Sequence, residues 1–482
     1  MMPQQVLIIH GWSDTSASFH PLADFLEDNG YQAREMWLGD YISLDDDVRV
    51  ADVGRSMGEV IDAMLGTGEL EPSFDVIVHS TGGLVAREWL TTHYRGKAET
   101  CPMKRLVMLA PANFGSKLAA TGKSFLGRLA KGYNNGFQTG QAMLNDLELS
   151  SPYQWELAQR DLLKAPDAAD TNHYYGADRV WPFVIVGTHP YNSLFRQLIN
   201  ENGADGTVRV CAANMNARGA TINFNADSPD QAVTVWESRL EAEVPLAVLP
   251  TRTHGSITDP DRAVADNQDG IPESEAEKAR LGQLVLQALS CGSFTAYQKI
   301  QAEWDALSEA TAALARADQG SALTDKSLQI YHQYMQANCY VVDDFGKPVP
   351  DYFLEFSPGV KDPAYDEANL YIHAHVIEDV KINSQNAALR NIYFDRSDLM
   401  YGYYPLLSQD ADPVLMMSVS AASPGPNIDY FTRDGRLGSM EIPLHFQGEL
   451  TKRWLRRNAT HFLQIVIPRV PKENVFKLTR VG

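Results

Sequence analysis

The sequence of 482 residues predicts an α/β fold with a mostly parallel sheet, followed by an antiparallel β domain. Over about the first 290 residues, short all-apolar runs alternate with amphipathic helical patterns, as in parallel sheets with helices on both faces. From about Ser327, short runs with period-two alternation are separated by Gly, Pro, Asn and Asp. That pattern indicates an antiparallel sandwich or barrel.

The composition is that of an acidic globular chain. Its 44% hydrophobic content is ample for a large core, and its length suggests two or three domains. The formal net charge of −20 argues against nucleic-acid binding and against general attraction to anionic membranes. The four cysteines form neither a disulfide framework nor a zinc site. Without a signal peptide or a membrane span, the default expectation is a cytoplasmic protein, with signal-less secretion as the alternative.

The apolar runs define the elements of three predicted regions. The regions are a first domain at 1–292 with a cap or lid insertion at 113–179, a helical connector at 293–326, and a β domain at 327–482. The predicted core strands are Val6–Ile9, Gln32–Trp37, Val76–Val78, Met103–Ala110, Trp181–Gly187 and Val244–Leu249. The helix at Ser293–Ala317 either connects the two domains or packs on the first.

The stretch Asp75–Arg87 organises the first domain. It reads D-V-I-V-H-S-T-G-G-L-V-A-R, a buried strand, a sharp turn with Ser80 at its tip, and a helix. This is the context of a nucleophile elbow, in which the helix N-terminus faces any anion that forms at the hydroxyl. Gly82 and Gly83 lack a Cβ and permit close approach of helix and strand. The alternative interpretation is that Ser80 is an ordinary helix N-cap.

Three motifs would lie at the carboxyl edge of the sheet, where such folds bind ligands. They are I-I-H-G-W-S-D, V-H-S-T-G-G-L-V-A-R and L-A-P-A-N-F-G-S-K-L-A. Together they resemble the α/β-hydrolase superfamily, and within it the bacterial and fungal-type lipases and acyl esterases. Val78 stands where these enzymes usually have the first glycine of G-x-S-x-G. The resemblance implies that His10–Gly11 begins an oxyanion loop, with the backbone N–H groups of Trp12 and Thr81 as oxyanion donors.

Two downstream loops supply candidates for the acid and the base. Asp205, in the Gly-rich loop N-G-A-D-G-T-V, resembles the acid of lipases, with Asp178 or Asp227 as substitutes. His254 follows the last core strand next to a glycine, which is where this fold places its base. The order Ser, Asp, His along the chain is the α/β-hydrolase order.

The other histidines are weaker candidates for a catalytic or binding role. His10 and His79 are expected to hydrogen-bond to backbone, while His173 and His189 lie in loops near the cap and could touch substrate.

The cap insertion contains a basic segment, Ser116–Lys131, in an otherwise acidic chain. Four apolar residues can share one face of a helix there: Leu118, Phe125, Leu126 and Leu129. The segment is interpreted either as a lid helix that meets a lipid–water interface or as a plain cap helix over the sheet.

The β domain offers two further features. His373 and His375 are expected to share one face of a strand, as a structural pair rather than as metal ligands. An aromatic cluster is expected to be core or domain interface rather than a lipid-docking surface; it consists of Tyr401, Tyr403, Tyr404 and Leu406–Leu407. Some lipases carry an accessory β domain that docks lipid, and this domain is similar to theirs in placement only.

The sequence therefore predicts a serine carboxylester hydrolase of the lipase or phospholipase type. Ser80 is the expected nucleophile, His254 the base and Asp205 the orienting acid, with no metal or organic cofactor required. The expected partners are a lipid or other acyl-ester substrate and a transient lipid interface. The alternatives are an acyltransferase with the same residues, a delivered lipase toxin, and a lipid- or protein-binding module with a vestigial triad.

Overall fold

The computed structural model describes residues 5–11, 16–31, 36–39, 45–121, 140–191, 200–227, 229–260, 274–316, 326–359, 363–407, 414–430, 442–444 and 456–480. The chain divides into two compact units. Unit 1 consists of Met1–Lys164, Ala169–Asn216 and Ser238–Gln333. Unit 2 consists of Ala165–Ala168, Ala217–Glu237 and Tyr334–Gly482.

The described elements are numbered in chain order. The strands of three or more residues are β1 (Gln5–Ile9), β2 (Met36–Gly39), β3 (Phe74–His79), β4 (Met103–Leu109), β5 (Trp181–Gly187), β6 (Arg218–Asn223), β7 (Val233–Val235), β8 (Leu246–Leu249), β9 (Tyr334–Asp343), β10 (Tyr352–Ser357), β11 (Ile377–Ile382), β12 (Leu389–Asp395), β13 (Leu415–Ala421), β14 (Ile428–Tyr430), β15 (Ile442–Leu444), β16 (Thr460–Ile467) and β17 (Arg469–Pro471). The α-helices of five or more residues are α1 (His20–Asp28), α2 (Val50–Thr67), α3 (Gly82–His93), α4 (Lys117–Thr121), α5 (Gln141–Leu147), α6 (Pro152–Asp161), α7 (Arg280–Leu289), α8 (Phe294–Ala313) and α9 (Asp366–Tyr371).

Unit 1 is built on a six-stranded sheet with the order β8-β5-β4-β3-β1-β2. Every neighbouring pair is parallel. Strands β1, β3 and β5 are buried along their whole length, because a parallel sheet is covered on both faces and apolar residues fill both sides. The predicted α/β class is confirmed, and the carboxyl ends of these strands meet at one edge.

Helix α8 packs on unit 1, which is one of the two alternatives that its sequence left open. Ser308 Oγ donates a hydrogen bond to the carbonyl of Leu246 at 2.8 Å, and Thr311 Oγ1 donates to the carbonyl of Val248 at 2.7 Å. Both carbonyls belong to β8, the outermost strand of the sheet. The helix therefore satisfies backbone acceptors at an edge that would otherwise be open.

The described part of the predicted cap insertion contains the helices α4, α5 and α6. Two consecutive residues of α3 anchor α6. The guanidinium of Arg87 binds the carboxylate of Asp161 at 2.8 and 3.0 Å, with both side chains fully buried, and Glu88 pairs with Arg160. Of the lid candidates, Leu118 is half-buried on α4, while Phe125, Leu126 and Leu129 lie outside the described residues.

Unit 2 contains a mixed sheet with the order β11-β12-β9-β16-β6-β7. The pairs β9–β16 and β16–β6 are parallel, and the other pairs are antiparallel. A second, antiparallel sheet has the order β10-β13-β15. The predicted β-rich second domain is confirmed, with a mixed sheet beside the antiparallel one. Strand β6 comes from the stretch Ala217–Glu237, which the sequence analysis includes in the first domain.

Two predictions for the β domain have different outcomes. His373 and His375 do not share a strand: they are exposed on a π-helical turn, Ile372–Val376, so that prediction is wrong. The reason is the spacing of four between the buried Ala368, Ile372 and Val376, which suits a helical face and not a strand. The prediction that the aromatic cluster is mainly core is confirmed for three members, Tyr403, Tyr404 and Leu407, whereas Tyr401 is 51% exposed.

Among the described helices, none combines the length and apolar character needed to cross a bilayer.

Candidate active site

Ser80 stands at the sharp turn between β3 and α3. Its backbone φ is +53°, in the left-handed region that non-glycine residues rarely adopt. The turn is fixed by hydrogen bonds from Ser80 N to the Leu109 carbonyl and from Ala112 N to the Ser80 carbonyl, each 3.1 Å. Val78, in the place of the usual first glycine, is buried in β3 and is compatible with this turn. Strained backbone of this kind concentrates at functional sites.

Close backbone approach surrounds the turn. A Cβ added to Gly11 would lie 2.7 Å from Ser80 Cβ, so the turn after β1 passes directly against the serine. A Cβ on Gly82 would lie 3.0 Å from the Ile9 carbonyl oxygen in β1, and one on Gly83 would lie 2.8 Å from Pro111 Cβ in the loop after β4. The predicted close approach of helix and strand is therefore found at Gly82, whereas Gly83 admits a loop.

Ser80, His254 and Asp205 form one chain of hydrogen bonds. His254 Nε2 lies 3.0 Å from Ser80 Oγ, and His254 Nδ1 lies 2.9 Å from Asp205 Oδ2. All three residues are buried. The structure thus brings together the three residues chosen from the sequence, and the carboxylate bonded to His254 is that of Asp205.

The loop around Asp205 fixes the direction of its carboxylate. Oδ1 accepts hydrogen bonds from the backbone N–H groups of Thr207 at 3.0 Å and Val208 at 2.8 Å, which leaves Oδ2 for the imidazole. The backbone N–H of His254 donates to the Asp205 carbonyl at 2.9 Å. The Asp205 and His254 loops are therefore joined by main chain as well as by side chain.

His79, next to the serine, contacts His254 directly. Its Nε2 lies 3.0 Å from the His254 carbonyl and donates to it, and the two ring centroids are 4.5 Å apart. Burial, reinforced by the neighbouring His254, lowers the pKa of His79 well below its ordinary value, so the ring is neutral. His10 Nδ1 bonds the Gly11 carbonyl at 2.6 Å. The prediction that both histidines bond to backbone is confirmed.

His173 and His189 also bond to backbone carbonyls. His173 Nδ1 donates to Arg239 at 3.0 Å, and His189 Nδ1 donates to Pro190 at 2.8 Å.

Of the two candidate oxyanion donors, Thr81 lies within the described part of the chain. Trp12 lies outside the described residues. Thr81 is buried at the N-terminus of α3, and within the described part of the chain no acceptor is bonded to its backbone N–H. An N–H without an intrahelical partner at this position can receive an anion.

One supporting residue was missed from the sequence. Arg87, one of the pair that anchors α6, also donates to the Asn113 carbonyl at 3.0 Å, and Asn113 Nδ2 donates to the Ala213 carbonyl at 2.8 Å. This buried network holds the loop after β4 beside the elbow. Its signal in the sequence is an arginine within an otherwise apolar stretch of helix.

Comparison with known proteins gives one extended similarity. No protein-family model and no curated protein matches the chain. Two structures of phospholipase PlaB from Legionella pneumophila, one in complex with thio-NAD, match with a TM-score of 0.74 and 25% identity over 99% of this chain and 96% of that chain. Bacillus licheniformis lipase BlEst2 matches with a TM-score of 0.34 and 14% identity over 54% of this chain and 87% of that chain. By its fold and its similarity to PlaB, the chain is an ester hydrolase of the α/β-hydrolase type.

Proposed function

We propose that the chain hydrolyses acyl esters of lipids through Ser80, His254 and Asp205. The observation that carries the proposal is the continuous hydrogen-bond chain from Ser80 Oγ through the His254 ring to Asp205 Oδ2, with distances of 3.0 and 2.9 Å. A nucleophile bonded to a base, and a base bonded to an orienting group, is the arrangement that activates a serine hydroxyl.

The reaction proceeds in two halves. Ser80 Oγ attacks the ester carbonyl while His254 Nε2 takes the hydroxyl proton, and Asp205 stabilises the imidazolium. The tetrahedral oxyanion accepts hydrogen bonds from the backbone N–H groups of Thr81 and Trp12. His254 then returns the proton to the departing alkoxide, which leaves an acyl-serine. Water, deprotonated by His254, attacks the acyl-serine and releases the carboxylic acid and the free enzyme.

The substrate class is proposed from the similarity to PlaB. That protein is named a phospholipase, and the similarity covers 99% of this chain, both units included. We therefore propose acyl esters of phospholipids as the first substrates to test. The enzyme would reach them by transient contact with the lipid–water interface.

Fluorophosphonate labelling with peptide mapping tests the nucleophile. We expect labelling at Ser80 and turnover of p-nitrophenyl esters and of phosphatidylcholine vesicles, whose zwitterionic surface does not repel an acidic chain. Ser80→Ala should lower kcat by about 10⁴-fold or more, because the residual rate then comes only from binding and the oxyanion donors. Ser290→Ala, at an exposed serine of unit 1, is the control and should match the unaltered chain. Full activity of Ser80→Ala would contradict the proposal.

A further inference from the structure

The loop that presents Asp205 is closed at its base by a buried ion pair. Arg209 Nε lies 2.7 Å from Glu201 Oε2, and Arg209 Nη2 lies 2.8 Å from Glu201 Oε1. The Arg209 side chain is 1% exposed and the Glu201 side chain 11%. Two parallel bonds between a planar guanidinium and a carboxylate fix direction as well as distance. The pair therefore holds together the two ends of the segment that carries the acid.

Between those ends, the loop backbone is intrinsically easy to deform. Gly203 has φ +69° and Gly206 has φ +93°, so glycines flank the acid in the left-handed conformation. Glycine loses more conformational entropy on folding than any other residue. A segment with two glycines therefore depends on restraints from outside it. The backbone bonds within the loop, from Asp205 N to Val208 O and from Val210 N to Gly203 O, require that the ends stay where they are.

The start of α4 contacts the same loop at two points. Ser116 Oγ donates to the Thr207 carbonyl at 2.6 Å, and Lys117 Nζ lies 2.9 Å from Glu201 Oε1. Burial alone would raise the pKa of Glu201, but Arg209 and then Lys117 outweigh it and hold the pKa below its ordinary value. Glu201 is thus an ionised group bound by two cations, of which Arg209 is buried and Lys117 is 33% exposed.

We infer that Glu201 and Arg209 are positioning residues that hold the Asp205 carboxylate at bonding distance from His254. The inference rests on the proposed function, in which Asp205 orients the imidazole and stabilises its charged form. If the pair is lost, the ends of the loop separate, and the bond between Asp205 Oδ2 and His254 Nδ1 becomes longer or misaligned. Both side chains are largely buried and paired with each other, so we expect the loss to fall on the chemical step and not on substrate binding.

The test compares Glu201→Gln and Arg209→Lys in the full chain with a matched control. Glu88→Gln removes a buried carboxylate paired with an arginine, Arg160, that lies outside the acid loop. For Glu201→Gln we expect kcat for p-nitrophenyl butyrate to fall about tenfold to a hundredfold, as for a small misplacement of a reacting group, with KM within about twofold. Arg209→Lys keeps the charge without the two-point geometry and should give a smaller loss in the same direction.

The split between kcat and KM separates positioning from a general loss of stability. A displaced orienting carboxylate slows the chemical step, so kcat should fall while KM stays within about twofold. Glu88→Gln should lower the Tm but leave kcat unchanged. All rates are measured well below each Tm and divided by the concentration of fluorophosphonate-titrated sites.

Two results would overturn the inference. One is wild-type kcat in Glu201→Gln, or in Arg209→Lys where Glu201→Gln gives no folded protein. The other is the same loss of kcat in Glu88→Gln. Both differ from failure of the proposed function, which would appear as activity in Ser80→Ala or as an unlabelled Ser80 in the unaltered chain.

Discussion

At the scale of single residues, His79 is held in an unusual state. It is buried and neutral, and among the described residues its Nδ1 has no hydrogen-bond partner. A buried nitrogen without a partner carries a desolvation cost, which the rest of the fold must offset. The contact that explains the residue is its other nitrogen, which donates to the backbone carbonyl of His254. His79 thus supports His254 from the end of the strand that leads to Ser80, the proposed nucleophile.

Replacing His79 should slow the chemistry more than it alters binding. His79→Phe keeps a ring against His254 but removes the donor, so we expect kcat to fall about tenfold with KM nearly unchanged. His79→Gln retains an N–H donor and should recover part of the loss. Steady-state kinetics and the rate of fluorophosphonate labelling check this, and an unchanged kcat in His79→Phe would contradict it.

The same residue makes stability depend on pH in a defined direction. The pKa of His79 is lowered in the folded protein, whereas in the unfolded chain it is near 6.5. Below that pH the unfolded state binds a proton that the folded state does not, so folding loses stability as the pH falls. His79→Phe removes this contribution. Its stability relative to the unaltered chain should rise by about 1 kcal/mol between pH 6 and pH 5.

Urea unfolding at pH 7, 6 and 5 measures this difference. Parallel stability curves for the two proteins would show that His79 titrates alike in both states.

At the scale of elements, the turn after β1 and the turn after β3 are packed backbone against backbone. Gly11→Ala would place a methyl group 2.7 Å from Ser80 Cβ, which is too close for either turn to stay in place. We expect kcat to fall about a hundredfold because Ser80, the proposed nucleophile, is displaced. Gly66→Ala is the control, since nothing lies within 4 Å of its added Cβ in α2.

The two alanine variants should also differ in thermal stability. Gly66→Ala should raise the free energy of unfolding by up to about 1 kcal/mol through helix propensity. Gly11→Ala should lower the Tm. Wild-type kcat in Gly11→Ala would mean that the two turns can separate without cost to the site.

A structural feature could be predicted from the sequence where a short, contiguous segment determines it. Strands β1 and β3 were found because a buried parallel strand is a continuous apolar run, which few other structures require. Ser80, Asp205 and His254, which the structure brings together, were chosen because each stands in a short segment of unusual composition. For His79 a backbone partner was expected but not which one, and the Glu201–Arg209 pair was missed, because both depend on which surfaces meet after folding. No periodicity or spacing reports such contacts.

The partner of β6 was hidden for the same reason. The segment R-G-A-T-I-N is compatible with a strand, but its neighbour in the sheet, β16, lies more than two hundred residues further along the chain. Local pattern gives the type of an element and does not give its pairing partner. The π-helical turn at Ile372–Val376 is a related case, because alternating polar and apolar residues there imitate a strand.

At the scale of the whole molecule, the two units cannot be separated by one cut in the chain. Deleting Tyr334–Gly482 would leave β6 without β16, and would expose Ala220, Ile222 and Phe224, which are buried in the core of unit 2. We expect this truncated chain to aggregate, because it presents an unpaired apolar strand.

A second truncation serves as the control. Replacing Ala217–Glu237 by a glycine–serine linker in the same truncated chain should raise the soluble fraction, measured by size-exclusion chromatography. A monomeric, active first truncation would show that β6 does not need its sheet.

The position of β6 also bears on when the enzyme is completed during its synthesis. Asp205 and His254 lie on either side of the stretch that carries β6, and β6 can pair with β16 only after roughly 240 further residues have been translated, at about 5–20 residues per second. The ribosome has therefore passed the codon for His254 long before the strand between Asp205 and His254 is paired. We expect a nascent chain to carry Ser80, Asp205 and His254 for about ten seconds or more before β6 finds its partner strand.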